Sequence, residues 1–276
     1  MRIACLLLAL AGFPSLAAEP PMVNVPFSEE RAKSLREEWA KALQQEPSFT
    51  NGVGMKLLLI PGGRFTMGPN GSTYGVTLSK AFYMAETEVT LGQYRHFKAG
   101  HRIDGAADEF NADDRPAATV SWKDATAFCE WLSAQPEEKK AGCVYALPTA
   151  AQWEWAARAG TSTSRHFGET DKGQAKYSWF NVTYTPNPKN EVDGRGRQAV
   201  AKLTPNAWGL YDTLGNVWEW CADRREDAAT GETRQPVMRG GSWRSGAFHC
   251  TSVAHDPGDA NAKADNIGFR VACVGK

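Results

Sequence analysis

The stretch Gly209–Asp223 reads Gly-Leu-Tyr-Asp-Thr-Leu-Gly-Asn-Val-Trp-Glu-Trp-Cys-Ala-Asp and decides the fold. It places two carboxylates, Asp212 and Glu219, on either side of a Gly215-Asn216 turn. Carboxylates beside indoles in a core need a partner that neutralises them. One solution is a Ca²⁺ ion held by both carboxylates and by turn carbonyls. The other is a turn capped by Asp212 and an ion pair between Glu219 and an arginine. The spacing is not that of an EF-hand loop, so taken alone it favours the second solution.

The composition indicates a globular, loop-rich protein. The chain has 276 residues, enough for one large domain or two small ones, with 42% apolar and 22% charged residues. Ten tryptophans and 26 glycines suggest a fold in which aromatic side chains carry much of the packing. The formal net charge is zero, so no basic surplus points to nucleic acid or to an anionic membrane.

The first 18 residues resemble a secretory signal. Arg2 supplies the positive charge, Ile3–Gly12 the short apolar run, and the small residues around Ala17 the cleavage site. We therefore expect a secreted or periplasmic protein with no membrane span, because no later segment is long and apolar enough. Cleavage leaves five cysteines, an odd number, so at least one thiol stays free or pairs outside the chain.

Beyond the signal the chain divides into residues 19–50 and 51–276. Pro20–Pro26 is predicted to be an extended linker, and Ser28–Gln45 a helix capped by Ser28 that docks on the main domain. Residues 161–205 lack regular periodicity, which in a compact domain favours a functional loop or one that is ordered by a ligand.

Within residues 51–276 short strands and short helices are predicted. Three capping boxes, opened by Thr90, Ser121 and Thr149, each start a helix. The predicted strands are Met55–Ile60, its hairpin partner Arg64–Gly68, Ala81–Glu88, Trp218–Trp220, Val237–Trp243 and Gly268–Val274.

A series of sequence blocks in fixed order extends this interpretation. The chain resembles the formylglycine-generating enzyme family, also called sulfatase-modifying factors, over about residues 51–274. The resemblance implies an α+β, loop-rich fold related to C-type lectins, with little regular secondary structure. The blocks are Gly54–Lys56 with Ile60–Gly68, Glu86–Thr90, Arg115-Pro116 with Val120–Trp122, Ala146–Arg158, Gly209–Trp220, Arg239–Trp243 and Ile267–Arg270.

The resemblance also implies two structural calcium sites. With it, the calcium interpretation of the first stretch becomes the preferred one. One site would use the side chains of Asp212 and Glu219 and the carbonyls of Gly215 and Val217. The other would use the side chains of Asn181 and Asp193 and the carbonyls of Val182 and Arg195.

The chain departs from the family at its catalytic centre. Family enzymes that make formylglycine bind Cu(I) between two thiolates, and the matching positions here are Ser245 and Cys250. These two are the candidate catalytic residues, but a serine hydroxyl is a poor ligand for soft Cu(I), so copper is not expected. His249 and His255 flank Cys250 and leave a Cys/His metal site as a minor alternative.

Two functions stay open. The first is an exported oxidoreductase, or another protein- or metabolite-modifying enzyme, without the two-cysteine copper centre. The second is a non-catalytic, calcium-stabilised, lectin-like module that binds a peptide, glycan or small molecule. Trp179, Trp208, Trp218 and Trp243 either line such a groove or pack in the core, and packing is favoured for each.

Two disulfides are predicted. The resemblance implies a bridge between Cys129 and Cys273, although the family cysteine directly follows the arginine that is Arg270 here. The second bridge, between Cys221 and Cys250, is inferred from the expected proximity of two strands. Cys143 would then be the free thiol.

Overall fold

The computed structural model describes residues 20, 22–69, 72–181, 196–225 and 235–274, with the side chains of residues 224 and 225 excepted. The predicted signal, residues 1–18, lies outside these residues. Nowhere in the described ranges does a helix have the length and apolar character needed to cross a membrane. The helices are α1 (Glu29–Leu43), α2 (Leu91–Arg95), α3 (Trp122–Ser133), α4 (Pro136–Ala141) and α5 (Ala150–Arg158).

The strands are short and form three sheets. They are β1 (Val23–Asn24), β2 (Ser48–Thr50), β3 (Lys56–Ile60), β4 (Gly63–Met67), β5 (Tyr74–Leu78), β6 (Phe82–Ala85), β7 (Val144–Ala146), β8 (Trp218–Arg225), β9 (Gln235–Arg239), β10 (His255–Pro257), β11 (Ile267–Gly268) and β12 (Ala272–Val274). The sheet orders are β2-β3-β6-β12-β7, β10-β9-β8-β11 and β1-β4-β5. This is a mixed α+β fold with long irregular connections, as the sequence predicts.

One predicted pairing is wrong. Strand β4 is not the hairpin partner of β3: it pairs with β1 and β5, whereas β3 pairs with β2 and β6. The Pro61-Gly62-Gly63 segment turns the chain into a different sheet. A Cβ atom on Gly63 would lie 2.5 Å from the Trp155 ring, so this glycine permits close packing between the turn and α5.

Residues before the main domain are part of the fold. The predicted linker contributes β1, which runs parallel to β4. Helix α1 begins as predicted, because the Ser28 hydroxyl accepts the Arg31 N–H. It buries Ala32, Leu35 and Trp39 against the domain.

The three predicted capping boxes are all present. Thr90, Ser121 and Thr149 each cap a helix, and the third helical residue reaches back to the cap in each case. The helices bring Tyr94 and Phe128 into a buried aromatic cluster with Phe269, with ring centroids 5.5–6.1 Å apart. The apolar core therefore lies between these helices and the five-stranded sheet.

Two C-terminal strands are shorter than predicted. Strand β9 ends at Arg239, because Gly240 and Gly241 adopt φ values of 89° and 79° that turn the chain away from the sheet. The predicted strand Gly268–Val274 is divided into β11 and β12, which belong to different sheets. These two breaks place residues 240–250 and Arg270 beside the Gly215-Asn216 turn.

Candidate functional site

The Gly215-Asn216 turn connects several distant segments. Gly215 donates its N–H to the Gly240 carbonyl (2.9 Å), and Asn216 donates its N–H to the Trp179 carbonyl (2.8 Å). The Asn216 carbonyl accepts the Trp243 N–H (2.9 Å). Gly215 has φ 83°, and a Cβ atom there would lie 2.2 Å from the Trp179 oxygen. Only glycine fits this position.

Beneath the turn lies a charged cluster, which we define as Glu88, Asp212, Glu219 and Arg270. All four side chains are buried, with at most 3% exposure. Three carboxyl groups thus face one guanidinium. Burial, helped by the two neighbouring carboxylates, raises the pKa of Glu88 well above its usual value. Burial also raises the pKa of Asp212 to about 6.

Glu219 is held by two donors. Arg270 donates from Nε to Oε2 and from Nη2 to Oε1, both at 2.7 Å, and the Trp153 indole donates to Oε2 at 2.6 Å. Burial opposes the charge on Arg270, but Glu219 and the other carboxylates raise the pKa of its guanidinium. The ion pair between Glu219 and an arginine, one of the two solutions open at the start, is present.

Asp212 and Glu88 are less completely paired. Asp212 Oδ2 accepts the Ala201 N–H (2.8 Å), and Glu88 Oε2 accepts Nδ2 of Asn216 (3.3 Å). Asp212 Oδ1 and Glu88 Oε1 are buried and have no hydrogen-bond partner among the described residues. An unpaired buried carboxylate oxygen is costly, and a cation is one way to satisfy it.

Two of the donors predicted for the first calcium ion have a free lone pair. Asp212 Oδ1 is available, and Glu219 Oε1 accepts a single hydrogen bond and so keeps a lone pair. The carbonyls of Gly215 and Val217 belong to the same turn, and oxygen donors of this kind suit Ca²⁺. Calcium at this site stays a prediction, and we note that no group of three or more His, Cys, Asp or Glu side chains suited to a metal occurs in the described part of the chain.

The second predicted calcium site cannot be placed. Val182, Asp193 and Arg195 lie outside the described residues. Asn181 is described, and its N–H donates to the Ser245 carbonyl (2.8 Å). The structure thus brings Asn181 next to the candidate catalytic segment.

The candidate catalytic segment runs from Ser242 to Cys250. The Ser242 N–H donates to the Ser245 hydroxyl (3.0 Å), and the two hydroxyl oxygens are 3.2 Å apart. Cys250 is fully buried, and its thiol donates to the Ser242 carbonyl (3.8 Å). A Cβ atom on Gly241 would lie 2.8 Å from the Cys250 sulfur, so glycine is needed for this close packing.

The two predicted catalytic residues differ from a two-thiolate copper centre. Burial raises the pKa of Cys250 to about 12, so in the absence of a metal the thiol is neutral and a poor nucleophile. Ser245 supplies a hard oxygen, which soft Cu(I) disfavours. The flanking His249 and His255 are both exposed, whereas the sulfur is buried.

Buried polar side chains hold this segment rigidly from behind. Arg165 donates from Nη2 to the Ala247 carbonyl (3.0 Å) and from Nε to Gln174 Oε1 (2.9 Å). Gln174 in turn donates from Nε2 to the Ala247 and Cys250 carbonyls, both at 3.3 Å. Exposing the Cys250 thiol would therefore require these hydrogen bonds to break.

A cleft of about 550 Å³ opens beside this segment, and we refer to it as the Trp243 cleft. Trp243 and Arg244, which lie between the two serines, form part of its wall, and so does Arg197. Trp243 Nε1 and Arg197 Nε are buried donors without a hydrogen-bond partner in the described ranges. The cleft is further lined by residues 103–107, Phe110, Thr119, Gly196 and residues 263–265.

The four tryptophans considered from the sequence have different roles. Trp208 is fully buried, so it is a core residue. Trp179 and Trp218 are partly buried and do not line the cleft. Trp243 alone of the four contributes to it.

Neither predicted disulfide is formed. Cys129, Cys221 and Cys250 are buried thiols. Cys221 contacts the Glu219 carbonyl and packs in the main core, whereas Cys250 contacts the Ser242 carbonyl in a separate small apolar cluster. The Cys273 thiol lies within hydrogen-bonding distance of Cys143, not of Cys129.

The fold and the site together define a loop-rich α+β scaffold of the formylglycine-generating type. A family model described as the sulfatase-modifying factor enzyme 1-like domain matches residues 43–274, and the chain belongs to this family. The solved structure of PvdO from Pseudomonas aeruginosa superimposes with a TM-score of 0.68 at 26% identity, covering 83% of this chain and 99% of that one.

Curated relatives carry different names. The formylglycine-generating enzyme of Thermomonospora curvata is 31% identical over 58% of this chain, and the chain spans only 55% of that enzyme's length. The inactive C-alpha-formylglycine-generating enzyme 2 of Bos taurus is 35% identical over 57% of this chain and 50% of its own. Chaperone protein LppX of Paenibacillus barcinonensis is 28% identical over 79% of this chain and 89% of its own.

Sequence reasoning assigned no role to two important residues, Glu88 and Arg270, and placed a third, Trp153, only in the core. Glu88, Arg270 and Trp153 lie within the quoted blocks, but their roles depend on contacts across 51 to 128 positions of sequence. For Arg270 the sequence did contain one indication. The buried carboxylate of Glu219 predicted an ion pair with an arginine, but not with which arginine.

Proposed function

We propose that this protein is a binding member of its family, which holds an extended polypeptide in the Trp243 cleft and performs no copper chemistry. The observation that carries the proposal is the state of position 250. Its buried thiol is a poor nucleophile in the absence of a metal, and without a second cysteine at position 245 it lacks the thiolate pair that holds Cu(I).

The cleft has side chains of the kinds that anchor polypeptides. Trp243 and Arg197 both line it, and aromatic and arginine side chains are frequent anchors of binding surfaces. Arg244 forms an ion pair with Asp265 (2.6 Å), and both residues line the cleft, so its wall carries a positive and a negative charge rather than charges of one sign.

The relatives support the same proposal. LppX, which the chain matches along most of both sequences, is named a chaperone, and a chaperone binds polypeptides. The Bos taurus relative is named an inactive enzyme. Export, and stabilisation by calcium at Asp212 and Glu219, belong to the same proposal. The oxidoreductase alternative would need a reactive thiol or another redox group, which the neutral Cys250 does not provide.

Binding of a permanently unfolded polypeptide tests the proposal. A reduced, carboxymethylated and fluorescently labelled protein serves as the probe, and fluorescence anisotropy measures its dissociation constant. Trp243→Ala is expected to weaken binding at least about tenfold, as loss of a central aromatic anchor does. Tyr74→Ala is the matched control, because Tyr74 is an aromatic residue with 59% exposure outside the cleft.

The enzyme alternative is tested in parallel. A Cys-x-Pro-x-Arg peptide is incubated with the protein, Cu(I) and oxygen and then analysed by mass spectrometry. We expect no formylglycine. Conversion of the peptide, or equal binding of the probe by wild type and Trp243→Ala, would overturn the proposal.

A further inference from the structure

Two cysteines lie on neighbouring strands at one edge of the five-stranded sheet. Cys273 is in β12 and is directly opposite Tyr145 of β7 in an antiparallel register. Cys143 precedes β7 and is two residues from Tyr145. Since side chains two residues apart on an extended chain share a face, Cys143 and Cys273 project to the same side of the sheet as diagonal neighbours.

The contact between them is direct. The thiol of Cys273 is within hydrogen-bonding distance of that of Cys143, and both residues are buried, with 2% or less exposure. Backbone hydrogen bonds fix both positions. Cys143 donates its N–H to the Glu138 carbonyl of α4 (2.9 Å), and β12 is paired on both sides, with β6 and β7.

We propose that Cys143 and Cys273 form an intrachain disulfide when the protein meets an oxidising disulfide, and that this bond ties the C-terminal strand to the sheet edge. This pairing differs from both bridges that the sequence suggested, and it does not depend on the proposed binding function. It anchors β7 covalently, and β7 is the edge strand of this sheet among the described residues.

The reaction is a thiol–disulfide exchange with an oxidant such as oxidised glutathione. One protein thiol loses its proton, and its sulfur attacks the oxidant, forming a mixed disulfide and releasing one glutathione thiolate. The second protein thiol loses its proton, and its sulfur attacks the first protein sulfur and releases the second glutathione. Two electrons pass from the protein to the oxidant, and two protons to the glutathione thiolates.

The surroundings of the pair indicate that the exchange is slow. Burial, together with the neighbouring Cys143, raises the pKa of Cys273 to about 12, so little thiolate exists near neutral pH. We therefore expect the oxidation rate to rise with pH and with any treatment that loosens β7.

Peptide mapping of wild-type protein tests the pairing. The protein is incubated with oxidised glutathione at about pH 8.5, where thiolate is more abundant, then alkylated, digested without reduction and analysed by mass spectrometry. We expect one linked peptide pair containing Cys143 and Cys273, lighter by two hydrogens. Oxidised protein should melt about 4–16 °C higher than reduced protein, because the bond closes a loop of more than a hundred residues.

Two variants sharpen the result. Cys143→Ser should abolish both the linkage and the gain in melting temperature, whereas Cys129→Ser should retain both. A main linkage between Cys273 and Cys129 would overturn the proposal. So would complete alkylation of both Cys143 and Cys273 after prolonged oxidation. The mapping uses wild-type protein, so it decides the question even where a variant does not fold.

Discussion

Replacement of Arg270 by methionine is the most informative perturbation of the charged cluster. Arg270 and Glu219 have side-chain exposures of 0% and 1%, and their Nη2–Oε1 distance is 2.7 Å. Methionine fills a similar volume but leaves Glu219 unpaired beside two other buried carboxyl groups. Removal of one partner from a buried ion pair costs about 3–5 kcal/mol. For a domain of this size the melting temperature should fall by about 6–20 °C.

The matched control is an exposed ion pair of the same chemistry. Arg244 and Asp265 lie 2.6 Å apart, but their side chains are 55% and 36% exposed. Arg244→Met should therefore cost about 1 kcal/mol or less. Both variants are measured by differential scanning calorimetry in the presence of a chelator, so that no bound cation masks the lost charge. Equal decreases in melting temperature in the two variants would refute the reasoning that burial determines how much an ion pair stabilises the fold.

Four further predictions follow from single sites. A chelator should lower the melting temperature of the wild type, and Asp212→Asn should abolish most of that response, because binding to the folded state alone stabilises it; an unchanged melting temperature would exclude calcium. Burial lowers the pKa of His166 to about 4, so as the pH drops the unfolded state binds the proton before the folded state does. The free energy of unfolding should therefore fall between about pH 6.5 and pH 4, and in urea titrations His166→Phe should show a smaller fall over this range. Gly215→Ala should lower the free energy of unfolding by at least about 2 kcal/mol, because residue 215 has a φ of 83° and an added Cβ atom would contact the Trp179 carbonyl. Gly75→Ala is the control: there is open space around Gly75, so the midpoint of urea unfolding should change little. Ser245→Cys should tighten Cu(I) binding in a competition titration with a chromophoric chelator, and unchanged affinity would show that the position of residue 245 is not copper-binding.

Features that depend on local sequence were predictable. The capping boxes at Thr90, Ser121 and Thr149 act within one helical turn, so their residue types alone predict where the helices begin. The start of α1 at Ser28 was predictable for the same reason. The order of the family blocks was sufficient to predict the fold.

Features that depend on distant partners were not predictable. The Pro61-Gly62-Gly63 segment has the composition of a hairpin turn, yet its glycines are needed for contact with Trp39 and Trp155, and the strands that flank it enter different sheets. The partner of Glu219 lies 51 residues away, and that of Glu88 lies 128 residues away. Nothing in the spacing of these residues specifies the pairs.

The cysteines show how a small offset changes a contact. Cys273 lies two residues beyond the position expected from the family, and the resemblance therefore suggested a tolerable shift along the strand. In the structure the strand runs beside β7, so this position is next to Cys143 rather than next to Cys129 on α3. Side-chain direction alone did not reveal which neighbouring element the strand would meet.

The position of Arg270 has a consequence for biosynthesis. Arg270 donates to the Ala85 carbonyl, 185 residues earlier, and β12, which directly follows it, fills the space between β6 and β7. A nascent chain therefore has an open gap in its five-stranded sheet and uncompensated acidic groups until residues 270–274 have left the ribosome. At about 5–20 residues per second this interval lasts many seconds. Ribosome-bound chains truncated before residue 270 should thus remain sensitive to protease.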